Sequence, residues 1–290
     1  MSSEQTVLIA GATGNVGGGT AAALANRGVR VVLLGRDASR LEAHVDSIRA
    51  EASEGGNDEP SVETMAVDFS NMDSVREAAN EALDRFPVIN GLVLSVVALI
   101  QGGPNILPSG HELMFATNVL GPFLFAQLLQ ERLGRSGALV VHVVAPFHED
   151  IDWDDLESIK HHKTGVAYNR TKTMSRMIAA ESAQRSANGV SWVAFDPPFV
   201  IDKNDPGLKD KWPKGPLGVF WRGMTMVAAK PPRVAGEQLA DVMLQQTDRQ
   251  AINGAYFKRG KQVTPDKAMR DTESRQRLWN ELDEIIGAPR

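Results

Sequence analysis

Short apolar segments alternate with longer amphipathic segments along most of the chain. Nearly continuous apolar character is typical of parallel strands that helices cover on both faces. The predicted strands are 6–10, 29–35, 61–68, 90–97, 137–144, 189–196 and 254–257. The amphipathic segments predict helices at 15–27, 37–52, 71–85, 109–133, 165–187, 233–246 and 267–286. This alternation predicts a single α/β domain over residues 1–290, built on a doubly wound parallel sheet of about seven strands.

The composition excludes several kinds of site. The chain has no cysteine, so disulfides, thiol nucleophiles and thiolate metal sites are excluded. A net charge of −5 argues against a nucleic-acid partner. No basic leader precedes the first strand, and no uninterrupted apolar run is long enough to span a bilayer, so we expect a cytoplasmic protein without a membrane partner. Histidines and carboxylates mix in 148–162, but their spacing fits no standard ligand motif, and we predict no metal site.

A glycine-rich turn, AGATGNVGGGT, follows the first predicted strand and opens the first helix. Its GxxGxxG spacing suits a tight turn without Cβ atoms, followed by a helix N-terminus that offers N–H groups to a pyrophosphate. Between a strand and a helix, this motif favours a Rossmann-type dinucleotide site over a mere turn. The predicted contacts are Gly11, Thr13, Gly14, Asn15, Val16 and Gly17. The additional Gly18 and Gly19 are unexpected, because they weaken the start of the helix.

The ends of the second and third strands indicate which dinucleotide binds. Gly35 stands where an acidic residue would bind the ribose 2′-hydroxyl of NAD, and Arg36 follows it. A guanidinium can pair with the 2′-phosphate of NADP through two hydrogen bonds, so we favour NADP over a plain surface pair with Asp37. Asp68 could accept a bond from the adenine amino group, or it could cap the helix that begins near Asn71.

A tyrosine and a lysine lie four residues apart in VAYNRTKT. Tyr168 and Lys172 would share one face of a predicted helix. An ammonium beside a phenol lowers the pKa of the phenol and makes it usable as a proton donor near neutral pH. This spacing also arises by chance, and an ordinary solvated helix start is the alternative.

The motifs together resemble the short-chain dehydrogenase/reductase family over nearly the whole chain. The resemblance is carried by GATGNVG, GRDASRLE, VDFS, GHELMFATNVLGPFLFAQLL, AYNRTKT and the segment from GAYFKRG onward. It is greatest to the retinol-dehydrogenase and WW-domain-oxidoreductase branch. The family resemblance implies a site of Asn, Ser, Tyr and Lys, in which Asn118 supports a proton relay, Tyr168 is the acid/base, and Lys172 binds the nicotinamide ribose and lowers the Tyr168 pKa. It also implies cofactor contacts from Phe69, Pro197 and Val200.

The serine of this family pattern is missing. The aligned position is Val144 or, with a slip of one residue, Ala145, and neither side chain donates a hydrogen bond. Losing one such donor costs about 3 kcal/mol of transition-state stabilisation, or roughly a hundredfold in rate. His148, Ser95 and His142 are candidate substitutes for the hydroxyl. The favoured interpretation of each is structural: His148 as an ordinary loop residue, and Ser95 and His142 as core residues. The neighbouring segments LVLSVVALIQGG and DPPFVID also depart from the family pattern.

Two further expectations follow from the resemblance. Residues of about 197–232 correspond to the segment that covers the substrate, and their aromatic and Met side chains indicate an apolar or aromatic substrate, with burial in the protein's own core as the alternative. Those side chains are Trp212, Phe220, Trp221, Met224 and Met226. The helices predicted at 109–133 and 165–187 pair in dimers of the family, which implies a homodimer or homotetramer. Burial within the monomer is the alternative explanation for their apolar residues, which include Phe123, Phe125, Leu128 and Leu129.

The sequence therefore predicts an NADP(H)-dependent oxidoreductase that reduces a carbonyl or C=C bond of a small apolar or aromatic molecule. The missing serine motivates an alternative, namely an enzyme on the same scaffold with non-redox chemistry, such as an isomerase, lyase or cyclase. A non-catalytic NADP-binding regulator is the third possibility, and the intact Tyr168 and Lys172 pair argues against it.

Overall fold

The computed structural model describes residues 5–54, 60–186, 189–202, 229–245 and 248–287. Its centre is one eight-stranded sheet in the order β3-β2-β1-β4-β5-β6-β7-β8. Strands β1 to β7 are parallel, and β8 runs antiparallel to β7. The strands are β1 (Thr6–Ala10), β2 (Arg30–Gly35), β3 (Val62–Ala66), β4 (Gly91–Leu94), β5 (Leu139–Val143), β6 (Ser191–Asp196), β7 (Tyr256–Lys258) and β8 (Lys261–Val263). The predicted doubly wound parallel sheet is confirmed, with one more strand than expected.

Helices cover the two faces of the sheet. They are α1 (Asn15–Ala25), α2 (Ala38–Glu54), α3 (Met72–Arg85), α4 (Leu113–Arg135), α5 (Thr164–Arg185), α6 (Pro232–Leu244), α7 (Lys267–Arg270) and α8 (Thr272–Ile286). Helices α1, α2 and α6 share one apolar core with one face of the sheet, and α3, α4, α5 and α8 share a second core with the other face. Alternate residues of each central strand enter the two cores, which explains why these strands are apolar throughout.

The additional strand arises from a tight hairpin. Arg259 and Gly260, the two residues between β7 and β8, both have positive φ, at 51° and 78°. Positive φ at both central positions is the requirement of the two-residue turn that best matches strand twist, and glycine adopts it without strain. The Arg259-Gly260 dipeptide after GAYFK is therefore the sequence feature that indicates this hairpin.

The predicted helix at 267–286 is wrong as a single element. It is divided into α7 and α8 at Asp271, whose carboxylate accepts a hydrogen bond from the Ser274 N–H and caps α8. Asp266 caps α7 through the Met269 N–H in the same way. Asp is a favoured N-cap residue, so two caps five residues apart define two helix starts.

Helix α8 covers the two helices for which the family resemblance implied pairing in a dimer. Trp279 packs edge-to-face on Phe123 of α4, with ring centroids 4.9 Å apart. Arg275 lies 3.3 Å from Glu181 of α5, and both side chains are buried. The apolar surface of α4 is thus largely buried within one chain, as the monomer alternative expected.

Helix α4 is long and apolar enough to cross a bilayer by length and composition alone. Most of its apolar window is buried inside the protein, where it packs against α3, α5 and the sheet. A buried central helix of an α/β domain meets the same criteria as a membrane span.

Candidate active site

The glycine turn between β1 and α1 has the shape that a pyrophosphate requires. Gly11 has φ of +79°, and a Cβ there would lie 2.7 Å from the Ser95 carbonyl oxygen. A Cβ on Gly17 would lie 2.4 Å from the Gly11 carbonyl oxygen. Helix α1 begins after Gly14 without any side-chain cap, and its first turn carries no acidic residue. Its N–H groups are therefore available to an anion, so this turn fits the phosphates of a dinucleotide.

The two unexpected glycines serve helix packing. A Cβ on Gly19 would lie 2.5 Å from the Pro232 carbonyl oxygen, and one on Gly236 would lie 2.1 Å from the Gly19 carbonyl oxygen. Helices α1 and α6 thus cross with their backbones in contact. A Cβ on Gly18 would lie 3.0 Å from the Cε1 atom of His44 in α2. Lost helix propensity at α1 is the cost of this close approach.

The other predicted cofactor residues surround the turn. Asn15 donates from its side chain to the Val200 carbonyl oxygen at 3.4 Å, which links the turn to the loop after β6 that also holds half-buried Pro197. Arg36 is exposed at the end of β2. The carboxylate of its neighbour Asp37 accepts a hydrogen bond from the backbone N–H of Arg40 at the start of α2.

The structure excludes one of the two roles considered for Asp68, that of capping α3. Asn71, not Asp68, is the N-cap of α3, and the Asp68 carboxylate instead accepts from the backbone and hydroxyl of Ser70. Phe69 is buried and packs edge-to-face on Phe125, with ring centroids 5.7 Å apart. Only the main chain of Phe69 is therefore left to contact a cofactor.

Asn118, Tyr168 and Lys172 come together beside the ends of β4 and β5. Asn118 lies in a π-helical turn of α4, a distortion that is frequent at functional sites. Its side chain binds both the N–H and the carbonyl of Ala98, at 2.6 and 2.9 Å. It also donates to the Thr171 hydroxyl at 3.2 Å, and that hydroxyl donates to the Tyr168 carbonyl at 2.7 Å. Thr171, which the sequence analysis missed, therefore connects Asn118 to the Tyr168 helix.

The electrostatics of the pair differ from the expectation. Lys172 is buried, and its Nζ donates to the carbonyls of Val143 at 3.3 Å and Val96 at 3.5 Å. Burial lowers the pKa of Lys172 to about 8. Burial also raises the pKa of Tyr168, whose ring centroid is 6.0 Å from the Lys172 Nζ. The predicted lowering of the Tyr168 pKa by Lys172 is absent, because the ammonium points toward main-chain carbonyls.

A second buried cation lies one turn beyond Lys172. Arg176 donates to the carbonyls of Ala145 and Phe147 in the loop after β5, and its Nε lies 3.0 Å from an Asp266 carboxylate oxygen. This guanidinium ties the loop after β5 to α5. The spacing from Tyr168 and Lys172 to Arg176 was the available signal, since all three recur at intervals of four.

The sequence comparisons show what the chain is similar to. The family model for short chain dehydrogenase matches residues 5–147. Human retinol dehydrogenase 13 is 26% identical over 296 residues, covering 98% of this chain and 85% of that protein. A Streptomyces sp. (strain C5) protein named for daunorubicin C-13 ketoreductase activity is 34% identical over 182 residues, covering 62% of this chain. That match spans only 61% of the Streptomyces protein's length.

The chain belongs to the short-chain dehydrogenase/reductase family.

Solved structures share the family fold. A Mycobacterium paratuberculosis protein has a TM-score of 0.72 at 19% identity, covering 98% of this chain and 94% of its own. An actinorhodin polyketide ketoreductase variant crystallised with NADPH has a TM-score of 0.66 at 15% identity, covering 88% of this chain and 95% of its own. At these sequence identities the structural similarity shows a shared fold and nothing more.

Both residues predicted to stand at the position of the family's serine are apolar and buried. Val144 is buried in a small cluster with Tyr256 and Met269. It directly follows β5, and its N–H donates to the Phe195 carbonyl. Ala145, at the alternative aligned position, is slightly more accessible, and Arg176 holds its carbonyl. Neither residue offers the hydroxyl of the family pattern.

The three candidate substitutes lie in different environments. Ser95 is buried at the end of β4, where its carbonyl lies close to Gly11. His148 lies 3.2 Å from Asp150 and lines a cavity that neither Tyr168 nor Lys172 lines. His142 is buried in β5, and its Nε2 has no hydrogen-bond partner among the described residues. His142 is therefore a core residue, as expected, but its Nε2 is not satisfied by a hydrogen bond from the described residues.

His142 is expected to make the fold sensitive to acid. Burial, with a smaller effect of the Lys172 charge, lowers its pKa from 6.5 to about 3. The unfolded chain therefore binds a proton below its own pKa while the folded chain does not, so stability falls as the pH drops below that value. Between about pH 7 and about pH 5 the loss attributable to His142 is about 2 kcal/mol. Urea denaturation of wild type and His142→Phe at each pH measures this difference.

The variant His148→Gln is the matched control, because His148 is exposed and its replacement should leave the acid sensitivity of the wild type unchanged. Wild-type and His142→Phe stabilities that fall in parallel with pH would contradict the assignment.

Proposed function

We propose that this protein is an NADP(H)-dependent oxidoreductase that reduces a carbonyl or C=C bond of a small apolar or aromatic molecule. The observation that carries the proposal is that Asn118 is linked through Thr171 to the main chain of Tyr168, while buried Lys172 lies one turn further along the same helix. All three lie at the sheet edge that also carries the glycine turn. The choice of NADP(H) is supported by Arg36 at the end of β2, and by NADPH in the related ketoreductase structure.

Tyr168, Lys172 and Asn118 have separate roles in the proposed carbonyl reduction. The dihydronicotinamide, when bound, supplies the hydride that adds to the carbonyl carbon. Tyr168 donates its phenolic proton to the carbonyl oxygen, so the products are the alcohol and the oxidised cofactor. Lys172 binds the nicotinamide ribose and, once its ammonium faces the phenol, stabilises the phenolate that remains. Asn118 holds the loop after β4 against α5 and keeps this arrangement in place.

The substrate class is supported by apolar side chains on the described loops after β4, β5 and β6. These strands are neighbours, so their loops gather at one edge of the sheet. Large exposed hydrophobic residues there are Val97, Leu99, Ile100, Phe147 and Phe199. Such a cluster marks a ligand or partner surface in a globular protein. The predicted aromatic residues of the substrate-covering segment, from Trp212 to Met226, lie outside the described residues.

Incubation with NADPH and a panel of apolar ketones, enones and aldehydes tests the proposal. We expect the reduced-nicotinamide absorbance to fall in step with formation of the reduced product. Substrate conversion without cofactor consumption would support the non-redox alternative. NADPH binding without conversion of any compound would support a regulator.

Restoring the missing hydroxyl should increase the rate of reduction. Ala145→Ser is expected to raise kcat up to about a hundredfold, because one hydrogen-bond donor to the developing oxyanion is worth about that much. Val144→Ser should not, because Val144 is packed among apolar side chains and its replacement would bury an unpaired hydroxyl. Steady-state kinetics of both variants with the best substrate of the panel measure this. A kcat for Ala145→Ser equal to that of wild type would show that a serine there does not reach the substrate.

A further inference from the structure

A buried carboxyl group at the end of β6 is not used by the proposed mechanism. Asp196 is the last residue of β6, its side chain is buried, and its Oδ1 atom has no hydrogen-bond partner among the described residues. The other oxygen, Oδ2, accepts a long hydrogen bond from the Tyr256 hydroxyl, at 3.4 Å. A buried polar atom without a partner requires an explanation, such as a catalytic role or a bound molecule.

The sheet register places Asp196 beside the first of the two positions predicted for the missing serine. Val143 of β5 pairs with Phe195 of β6, and the next residue, Val144, donates its N–H to the Phe195 carbonyl. Val144 and Asp196 are therefore neighbours across the two strand ends. Residues that lie opposite each other point to the same face of a sheet, and both of these side chains lie beside Tyr256 of β7.

Two hydrogen bonds join this strand end to the rest of the candidate site. Lys172 of α5 donates to the Val143 carbonyl, on the strand beside Asp196. Asn15 of the glycine turn donates to the Val200 carbonyl, in the loop that follows Asp196. Helix α5 and the turn that fits the dinucleotide phosphates therefore both approach the end of β6.

The surroundings of Asp196 favour its neutral form. Burial raises the pKa of Asp196. Lys258 and Arg259 are exposed, so water and salt screen their charges. Arg176 is buried, but an Asp266 carboxylate oxygen lies 3.0 Å from its Nε and offsets its charge. The groups that act against the effect of burial are Lys258, Tyr256, Arg176 and Arg259.

We propose that protonated Asp196 donates a hydrogen bond from Oδ1 to the carbonyl oxygen of the substrate, in the role of the missing serine hydroxyl. This inference rests on the proposed function, since it concerns the same reduction. Tyr168 still transfers the proton and Asp196 keeps its own, so the products are unchanged. The hydrogen bond strengthens as negative charge develops on the carbonyl oxygen, and it therefore stabilises the transition state. An ionised Asp196 has no proton to donate and would repel that charge.

Two variants of Asp196 distinguish a hydrogen-bond donor from a carboxyl group that only supports the fold. Asp196→Leu has a similar volume and no donor, and it is expected to lower kcat about a hundredfold at about pH 5. Asp196→Asn keeps an N–H donor that does not ionise, so its kcat should vary little with pH. Wild-type kcat should fall as the pH rises through the pKa of Asp196, because the donor is then lost. Steady-state kinetics with saturating NADPH and the best substrate of the panel, from about pH 5 to about pH 9, measure these effects.

The comparison between variants removes the effects of other groups. Lys172, with a pKa of about 8, titrates in wild type and in both variants, so its contribution cancels in the ratio of their kcat values. Loss of the Tyr256 hydroxyl should leave Oδ1 in place, because that hydroxyl contacts Oδ2. Asp84→Asn is the matched control, since Asp84 is an exposed residue of α3, and it should keep the wild-type pH profile. Circular dichroism and NADPH affinity check that each variant is folded.

Three results would overturn the inference while the proposed function stands, provided that wild type reduces a compound of the panel. They are a kcat for Asp196→Leu equal to that of wild type at acid pH, a ratio of wild-type to Asp196→Asn kcat that is the same at every pH, and an Asp196→Asn variant as impaired as Asp196→Leu. If wild type consumes NADPH with none of the compounds, the proposed function itself fails, and the inference fails with it.

Discussion

Replacing Tyr168 by Phe is expected to lower kcat for carbonyl reduction by about 10²–10⁴-fold, because the reaction then lacks its proton donor. The ring is retained, so the packing of α5 and the affinity for NADPH should change little. Stopped-flow single-turnover measurements with saturating NADPH separate the chemical step from binding and product release.

Tyr256→Phe provides a matched control for the loss of a phenolic hydroxyl. The chain has only two tyrosines, and Tyr256 is buried in β7 with its hydroxyl 3.4 Å from the Asp196 carboxylate. This variant should retain turnover, although it is expected to lose some stability. Comparable turnover in Tyr168→Phe and wild type would rule out Tyr168 as the acid in this protein.

The second large effect is expected at the crossing of α1 and α6. Gly236→Ala would place a Cβ 2.1 Å from the Gly19 carbonyl oxygen and 2.2 Å from its carbonyl carbon, so the two helices would have to separate. Backbone contacts cannot be relieved by a rotamer change, and we expect a loss of about 3 kcal/mol in the free energy of unfolding. The midpoint and slope of urea denaturation measure it.

Gly165→Ala is the corresponding control within a helix. Gly165 is exposed in the first turn of α5, and a Cβ there would meet nothing within 4 Å. This substitution should be neutral or stabilise by about 0.5 kcal/mol through helix propensity. Equal stabilities of the two variants would contradict the tight crossing.

Sequence reasoning predicted the features that rest on local chemistry. The buried strands follow from continuous apolar runs, and the phosphate turn follows from glycines between a strand and a helix. Tyr168 and Lys172 could be paired because helical spacing is independent of the rest of the fold.

The features that were missed depend on contacts between distant segments. Nothing local predicts that Asn118 binds Ala98, or that Arg176 reaches the loop after β5 and Asp266. The role of Gly19 could not be predicted either, since it required knowledge that α6 crosses α1 at that residue. The direction of the Tyr168 pKa shift was wrong because burial, which the sequence does not specify, outweighs an ammonium that points elsewhere.

The covering of α4 and α5 by α8 has a consequence during protein synthesis. Trp279 and its neighbours in α8 leave the ribosome after every element that they cover, so the aromatic face around Phe123 stays open to water until α8 has been synthesised. A ribosome-bound chain that already contains β1 to β7 would therefore expose an apolar surface to which chaperones can bind. Emergence of α8 from the ribosome then covers that surface.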